Sequence, residues 1–480
     1  MKIFNIKISI EVKSAMAYTI ATLFSSGIVI LTVPIFTRIM SIEEIGTVNL
    51  FNSWYTLLST IVGLSLTSGG YLIALEKFKT NQFAYISSVV SLATFVATIV
   101  LLMYLSNISF WNNVLNLPTD LVLLMIVSFM FFPARDFWIA KERYEYKYKL
   151  SAFIMFLSGI LATVFPLILV LNKNIFGNIS ASSLRLYGSY LTLLLVSIII
   201  WYYLIRKGKT FFNWEYWKFS LSLSLPLLGY SLSSQLLNVS DRIMIGKILG
   251  NASVGIYGTL YTASSLLALV WSALNTSFVP YLFKNIPNED NRIAKVTSNL
   301  LLMYSLMALG VAYSVPELVS IFAPKEYLGA INIMPPIMAG VFYTSITNLY
   351  SNILVYYKKT AFVMYPALFA ALLNIALNAV LISKFGMVAA AYTTLLSYVV
   401  MALVQYYYAY RVVRQQITVV KLYNDKILLL QSVVTTILIM ISLPFYDKFI
   451  IRALIVLLVV SFILTKFIID NLKNKKKECK

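Results

Sequence analysis

Three arginines stand in or at the ends of hydrophobic stretches long enough to cross a membrane, and the chemistry of that residue type is anion binding. Arg135 lies within Phe131-Phe132-Pro133-Ala134-Arg135-Asp136-Phe137-Trp138. Arg38 closes the run Val33-Pro34-Ile35-Phe36-Thr37-Arg38-Ile39-Met40, and Arg242 follows Asp241 in Val239-Ser240-Asp241-Arg242-Ile243-Met244, with Lys247 beyond it. A charge at mid-bilayer costs roughly 2.5–3.5 kcal/mol on insertion scales, so such residues face a cavity or a partner. A guanidinium offers a planar fork of donors that matches phosphate oxygens two at a time. Asp136 and Asp241, each beside an arginine, are the acids that could couple transport to an ion; Glu317, beside Pro316, is a weaker candidate. A plainer reading stands beside each: Arg135 and Asp136 as a self-neutralised pair, Arg38 and Arg242 as anchors reaching for the membrane interface.

The triplet Arg-Ile-Met occurs once in each half of the chain, at Arg38–Met40 and Arg242–Met244. In both places a short polar interruption, a glycine (Gly46, Gly255) and a second long apolar run follow. A hairpin of apolar segments that carries a cation at the same point in two copies predicts a transporter of two related bundles.

The elements that must position these residues follow from composition. The chain has 480 residues, of which 60% are hydrophobic and 12% charged, against about a quarter charged in soluble proteins. It is an integral membrane protein. Apolar runs of about 20 residues, enough to span, lie near 15–37, 46–74, 83–105, 120–140, 150–171, 184–205, 220–246, 254–282, 296–322, 330–357, 361–383, 387–410, 427–445 and 449–469. The expected fold is an all-α polytopic membrane protein of about fourteen transmembrane helices: two parallel six-helix bundles around a central cavity plus two extra C-terminal helices. The expected divisions are 1–210, 211–415 and 416–480. The N-terminus lacks a short apolar core with a cleavage site, so the first segment should be a retained span.

Net charge is +20, but its placement is topological. With fourteen spans, 28 of the 38 lysines and arginines fall on the side that holds both termini. That asymmetry puts both ends in the cytoplasm and removes any need for nucleic acid as a partner. The connection Arg411–Lys426 could hold a short amphipathic surface helix or be a plain basic loop. Basic residues from Lys473 to Lys480 could touch anionic lipid.

Most enzyme classes are disfavoured. No histidine is present, so there is no imidazole metal ligand and no Ser-His dyad, and the single cysteine, Cys479, cannot form an intramolecular disulfide. No G-x-x-x-x-G-K-[ST] loop occurs. We assign no catalytic residue, metal set or cofactor; energy would come from an ion gradient, the membrane potential or the cargo's own gradient. Prolines within the spans (Pro34, Pro133, Pro166, Pro226, Pro280, Pro335-Pro336, Pro366) predict kinks, read either as static shape or as hinges. The polar residues Ser231, Ser233, Ser234, Gln235 and Asn238, then Thr262, Ser264, Ser265 and Asn275, either knit helices together or line a cavity.

Four motifs resemble a known family: Pro34…Thr37-Arg38…Glu43-Glu44…Gly46; Ser240-Asp241-Arg242-Ile243-Met244-Ile245-Gly246…Gly250…Val254-Gly255-Ile256-Tyr257; Pro324-Lys325-Glu326-Tyr327…Ala330; and Leu373-Asn374-Ile375…Leu377-Asn378…Leu381-Ile382…Phe385-Gly386…Ala389-Ala390-Ala391…Thr393. In this order and spacing the chain resembles, over nearly its whole length, a polysaccharide repeat-unit flippase of the O-antigen (Wzx) type within the multidrug/oligosaccharidyl-lipid/polysaccharide exporter superfamily. Met387-Val388-Ala389 departs from the family's habit of a small residue before the alanine pair. The resemblance implies a cargo of undecaprenyl-pyrophosphate-linked oligosaccharide (O-antigen, capsule or exopolysaccharide), moved from the cytoplasmic to the outer leaflet of the bacterial inner membrane. Arg38, Arg135, Arg242 and Lys247 would bind the headgroup, Asp136 and Asp241 would be the coupling candidates, and membrane lipids, a polysaccharide polymerase and a chain-length regulator would be partners. Open beside it are a cation antiporter of the same superfamily, a flippase for lipid-linked peptidoglycan or teichoic-acid precursors, a membrane-bound polymerase or ligase, and a non-transporting scaffold.

Overall fold

Hydrocarbon offers a backbone no hydrogen-bond partner, so a chain this apolar must satisfy its peptide groups within helices. A computed structural model describes residues 9–67, 70–288, 292–416 and 422–478, and among the described residues there are helices and no strand. Lys2, Lys7, residues 417–421 of the connection Arg411–Lys426, Cys479 and Lys480 lie outside the described residues. In chain order the helices are α1 Ile10–Ile39, α2 Ile42–Val62, α3 Gly70–Lys77, α4 Gln82–Ser106, α5 Ile108–Leu115, α6 Thr119–Tyr144, α7 Tyr148–Leu171, α8 Ala181–Gly208, α9 Trp214–Leu249 and α10 Asn251–Ser264. They continue as α11 Leu266–Asn285, α12 Arg292–Tyr313, α13 Val315–Phe322, α14 Met334–Tyr356, α15 Ala361–Gln416, α16 Asp425–Ile441 and α17 Phe449–Glu478.

Ten helical stretches among the described residues are long and apolar enough to cross a membrane. They hold eleven of the fourteen expected spans, because α15 joins two of them through Gly386 (φ 66°, ψ −155°), backbone open in practice to glycine alone. The runs at 46–74 and 220–246 also fold as helix, but α2 and α9 carry too many polar residues to qualify. Those two helices pack against each other. The span expected at 46–74 is not one helix: it breaks at Gly63–Thr67, where Leu64 and Ser65 take left-handed φ of 48° and 50°, and restarts as α3. Pro335 and Pro336 begin α14 instead of interrupting a span, because a missing N–H costs nothing in a helix's first turn.

The chain forms two compact units, residues 1–255 and 256–480. In the first, α9 packs on α2, α3 and α4. An aromatic core including Tyr71, Tyr85, Phe137 and Trp138 joins α3, α4, α6, α8 and α9. Tyr71 donates to the Phe137 carbonyl at 2.9 Å, and Tyr85 and Ser220 share a hydrogen bond of 2.8 Å.

At the other end of α2 the two echoed glycines meet. A Cβ on Gly46 would stand 1.7 Å from the Asn251 carbonyl oxygen, and one on Gly255 would stand 2.2 Å from that of Ile42. Each glycine thus faces the carbonyl four residues before the other, and the Asn251 amide, donating to Thr47 Oγ1 at 3.1 Å, closes the contact. This reciprocity sets the register of the repeat and corrects the one read from the triplet. Arg38 lies eight residues before Gly46, and the residue eight before Gly255 is Lys247, so Arg-Ile-Met pairs with Lys247-Ile248-Leu249.

In the second unit, Asn374, Asn378, Thr393 and Thr394 form a fully buried hydrogen-bonded ladder between the two arms of α15. Arg452 of α17, 5% exposed, donates to the Tyr313 carbonyl at 3.0 Å and to Glu317 at 2.6 Å. Glu317 is therefore part of a structural ion pair. Burial alone would raise its carboxyl, but the Arg452 hydrogen bond, a backbone hydrogen bond and the Arg452 charge together hold it below the usual glutamate range.

Alanine at Gly46 or Gly255 drives a Cβ into backbone that no rotamer change relieves; we expect about 3 kcal/mol of destabilisation, read as a lowered melting temperature in detergent. Gly27, with open space around it, should accept alanine without effect. Glu317→Gln should cost on the order of 1–2 kcal/mol, less than a fully buried pair because the carboxylate is part-solvated. A depressed carboxyl contributes stability above its unfolded pKa and loses it as pH falls through the folded one. Melting temperature should therefore drop on acidification, and part of that drop should vanish in the variant.

Candidate functional site

The break in the second span opens into a cavity of about 460 Å³ within the first unit. Four kinds of wall enclose it. The end of α2 gives Tyr55, Ser59 and Thr60, and the break gives Gly63, Ser65, Leu66 and Thr67. From α6 come Phe129, Phe132, Pro133, Arg135, Asp136 and Phe137, and from α9 come Ser231 and Gln235. Interrupted backbone inside a membrane survives where it borders a polar cavity. Here the interruption supplies the cavity's floor.

Two local effects on α6 point its polar groups inward. Pro133 has no N–H to give the Phe129 carbonyl. The next carbonyl, of Met130, takes a hydrogen bond from Thr94 Oγ1 at 3.1 Å, and Trp201 Nε1 donates to the same hydroxyl at 3.1 Å. That ties the proline turn to α4 and α8. On the cavity side, Tyr55 stacks on Phe129 at 5.3 Å and meets Phe132 edge-on at 6.2 Å, a wall of aromatic faces.

Arg135 stands 5.4 Å from the Phe132 ring centroid and donates to Asp136 Oδ1 at a long 3.4 Å. Its side chain is 21% exposed, that of Asp136 51%, and its Nε–H is buried with no acceptor in reach. The pair is thus loosely joined and not a saturated bridge. A guanidinium with a spare donor beside a partly apolar cavity has the chemistry to take an oxyanion.

The other expected residues lie elsewhere. Arg38, in the last turn of α1, is exposed and donates to the Pro34 carbonyl at 2.7 Å. Lys247, its repeat partner, is exposed in the last turn of α9 and donates to the Asn113 carbonyl at 3.0 Å. Cations at helix C-termini are favoured by the helix dipole. Asp241 is buried and accepts the Arg242 backbone N–H at 2.7 Å; Arg242 is half-buried. None of these four lines the Arg135 cavity. Among the polar residues of α9, Ser231 and Gln235 reach the cavity, whereas Ser233 is buried and bonds its own helix at the Gly229 carbonyl. Tyr55, Ser59, Thr60 and the segment 63–67 are wall residues that sequence reasoning missed. The signal was present in Gly63-Leu64-Ser65-Leu66-Thr67-Ser68-Gly69-Gly70, where three glycines and three hydroxyls crowd one supposed span.

The family profile described as "Polysaccharide biosynthesis protein" matches residues 12–286, more than half of the chain, and the protein belongs to that family. A search of proteins of curated function finds no match. Among solved structures, a lipid II flippase MurJ in an inward closed conformation superposes with TM-score 0.69 at 17% identity, covering 96% of this chain and 100% of the other. An inward-facing multidrug resistance MATE transporter gives 0.61 at 12%, covering 85% and 100%. A transporter of the same MOP superfamily from Pyrococcus furiosus gives 0.59 at 13%, covering 85% and 97%. The fold is that of MOP-superfamily transporters, and the protein is a multi-pass membrane protein.

With Cys479 replaced by serine, single cysteines at Thr60, Ser231 or Gln235 should react with a water-soluble methanethiosulfonate, while one at Ser88, fully buried, should not. Equal protection of all four would mean that water does not reach the cavity.

Proposed function

We propose that this protein is a flippase for polyprenyl-pyrophosphate-linked oligosaccharide repeat units, moving them from the cytoplasmic to the outer leaflet of a bacterial inner membrane. The observation that carries the reading is the buried, unpartnered Nε–H of Arg135 beside a polar and aromatic cavity in a chain of the polysaccharide-biosynthesis family. The guanidinium suits a pyrophosphate, the faces of Tyr55, Phe129 and Phe132 suit the apolar side of a sugar ring, and Ser59, Thr60 and Gln235 suit its hydroxyls. The lipid tail would remain in the bilayer, so only the headgroup needs shelter. Both termini would be cytoplasmic, by charge placement. Arg38, Arg242 and Lys247 would meet the headgroup later in the cycle, with Asp136 or Asp241 carrying a coupling ion. A polymerase and a chain-length regulator would act on the product.

A second reading has one observation behind it: Asp136 offers a half-exposed carboxylate at the same cavity, which would suit a cation antiporter. Substitution separates the two. Arg135→Ala should abolish surface polysaccharide, and flipping of a fluorescent lipid-linked oligosaccharide in proteoliposomes should fall at least about 100-fold, the loss expected for a desolvated charged contact. Arg135→Lys should retain part of it if charge alone matters, and Asp136→Asn should reduce but not eliminate it. Normal flipping by Arg135→Ala, with organic-cation transport lost in Asp136→Asn, would replace the flippase reading by the antiporter.

A further inference from the structure

A second hollow, of about 520 Å³, lies at the basic end of α6, α7 and α8, apart from the Arg135 cavity, and combines lysines with exposed hydrocarbon. Lys141 is 2% exposed; its ammonium bonds Glu145 and stands 4.7 Å from the Phe83 ring centroid. Lys147 bonds the other oxygen of Glu145 at 2.7 Å. Burial alone would raise the Glu145 carboxyl, but these two hydrogen bonds outweigh it and hold it below the usual range. Glu145 is thus ionised and occupied by two lysines.

Lys207 enters from α8. Its ammonium lies 3.9 Å from the same Phe83 ring and donates to Tyr203 Oη at 3.1 Å, and among the described residues no carboxylate lies within ion-pair distance of it. Three lysines against Glu142 and Glu145 leave the hollow with one surplus positive charge. The N-terminus of α7 adds to this, since Lys147 caps it without a side-chain hydrogen bond. On the rim, Leu150 of α7 and Ile199 of α8 are 60% and 69% exposed. In a membrane protein such side chains face acyl chains.

We propose that this hollow is a binding site for an anionic glycerophospholipid, its phosphodiester held by Lys207, Lys147 and the Tyr203 hydroxyl and its chains lying over Ile199 and Leu150. A single surplus cation matches a monoanionic headgroup such as phosphatidylglycerol and not a zwitterionic one. Basic pockets between membrane helices are the usual receptors for acidic lipid headgroups, and the apolar rim favours a lipid over a free phosphate. Occupancy would brace the α6–α7 turn, which begins at Glu145, ten residues beyond Arg135.

The test uses the full-length protein in detergent, titrated with phosphatidylglycerol or phosphatidylcholine and read by native mass spectrometry. The wild type should retain phosphatidylglycerol at least about tenfold better than phosphatidylcholine. Lys147→Ala/Lys207→Ala, both at exposed positions, should lose that preference. Brominated phosphatidylglycerol should also quench tryptophan fluorescence through Trp138, which lines the hollow, and do so less in Trp138→Phe. This second readout holds even if the double variant proves unstable. Equal retention of phosphatidylglycerol by wild type and variant, or quenching unchanged in Trp138→Phe, would overturn the site. Displacement of the lipid by millimolar inorganic phosphate or glycerol phosphate would make it a soluble-anion site and overturn the lipid assignment.

Discussion

Every peptide group released inside a bilayer must find a partner, and the first unit of this protein is arranged around the two places where its helices release some. One is the break after α2, the other the proline turn of α6. They border the same cavity, with hydroxyls, an amide and an ion pair around them. The polar lining that makes interrupted backbone tolerable is also the lining that can receive a polar cargo. The atoms that make the interruption stable are the ones a cargo would meet there. The aromatic core that includes Tyr71 and Phe137 ties the start of α3 to α6.

Much of this was legible in the sequence, and what was not has definite causes. Hydrophobic runs gave the helices, and the cost of burying charge drew attention to Arg135 and Asp136. The break at Gly63–Thr67 was hidden because Leu64 and Leu66 keep the run apolar on average; left-handed φ at Leu64 and Ser65 is set by tertiary packing and leaves no trace in hydropathy. Tyr55, Ser59 and Thr60 were hidden because aromatic and hydroxyl residues are common throughout membrane helices, and only the fold shows which ones share a wall. The repeat register failed differently. Identity of letters favoured Arg-Ile-Met over Lys-Ile-Leu, whereas the physical equivalence lies in where each helix ends and which backbone its glycine touches. Arg452 and Glu317 lie 135 residues apart, a separation at which no local pattern can pair them.

The membrane-embedded cations sort by what they touch. Arg38 and Lys247 stand exposed at helix ends, and each donates to a main-chain carbonyl. Arg135 is held by a long contact to its own neighbour and keeps a buried donor unused. Arg452, paired with Glu317, also keeps its Nε–H buried without an acceptor, so what sets Arg135 apart is the cavity it borders.

Neither Gly46 nor Gly255 can become smaller, so neither can compensate for growth in the other. Most packed interfaces tolerate change through paired substitutions, one side chain shrinking as its neighbour enlarges. At this junction both partners already stand at the lower limit of residue size, and the opposing surface is main chain. Variation there is closed to the usual route of reciprocal replacement. The two echoed segments meet at the one place where neither can enlarge to answer the other.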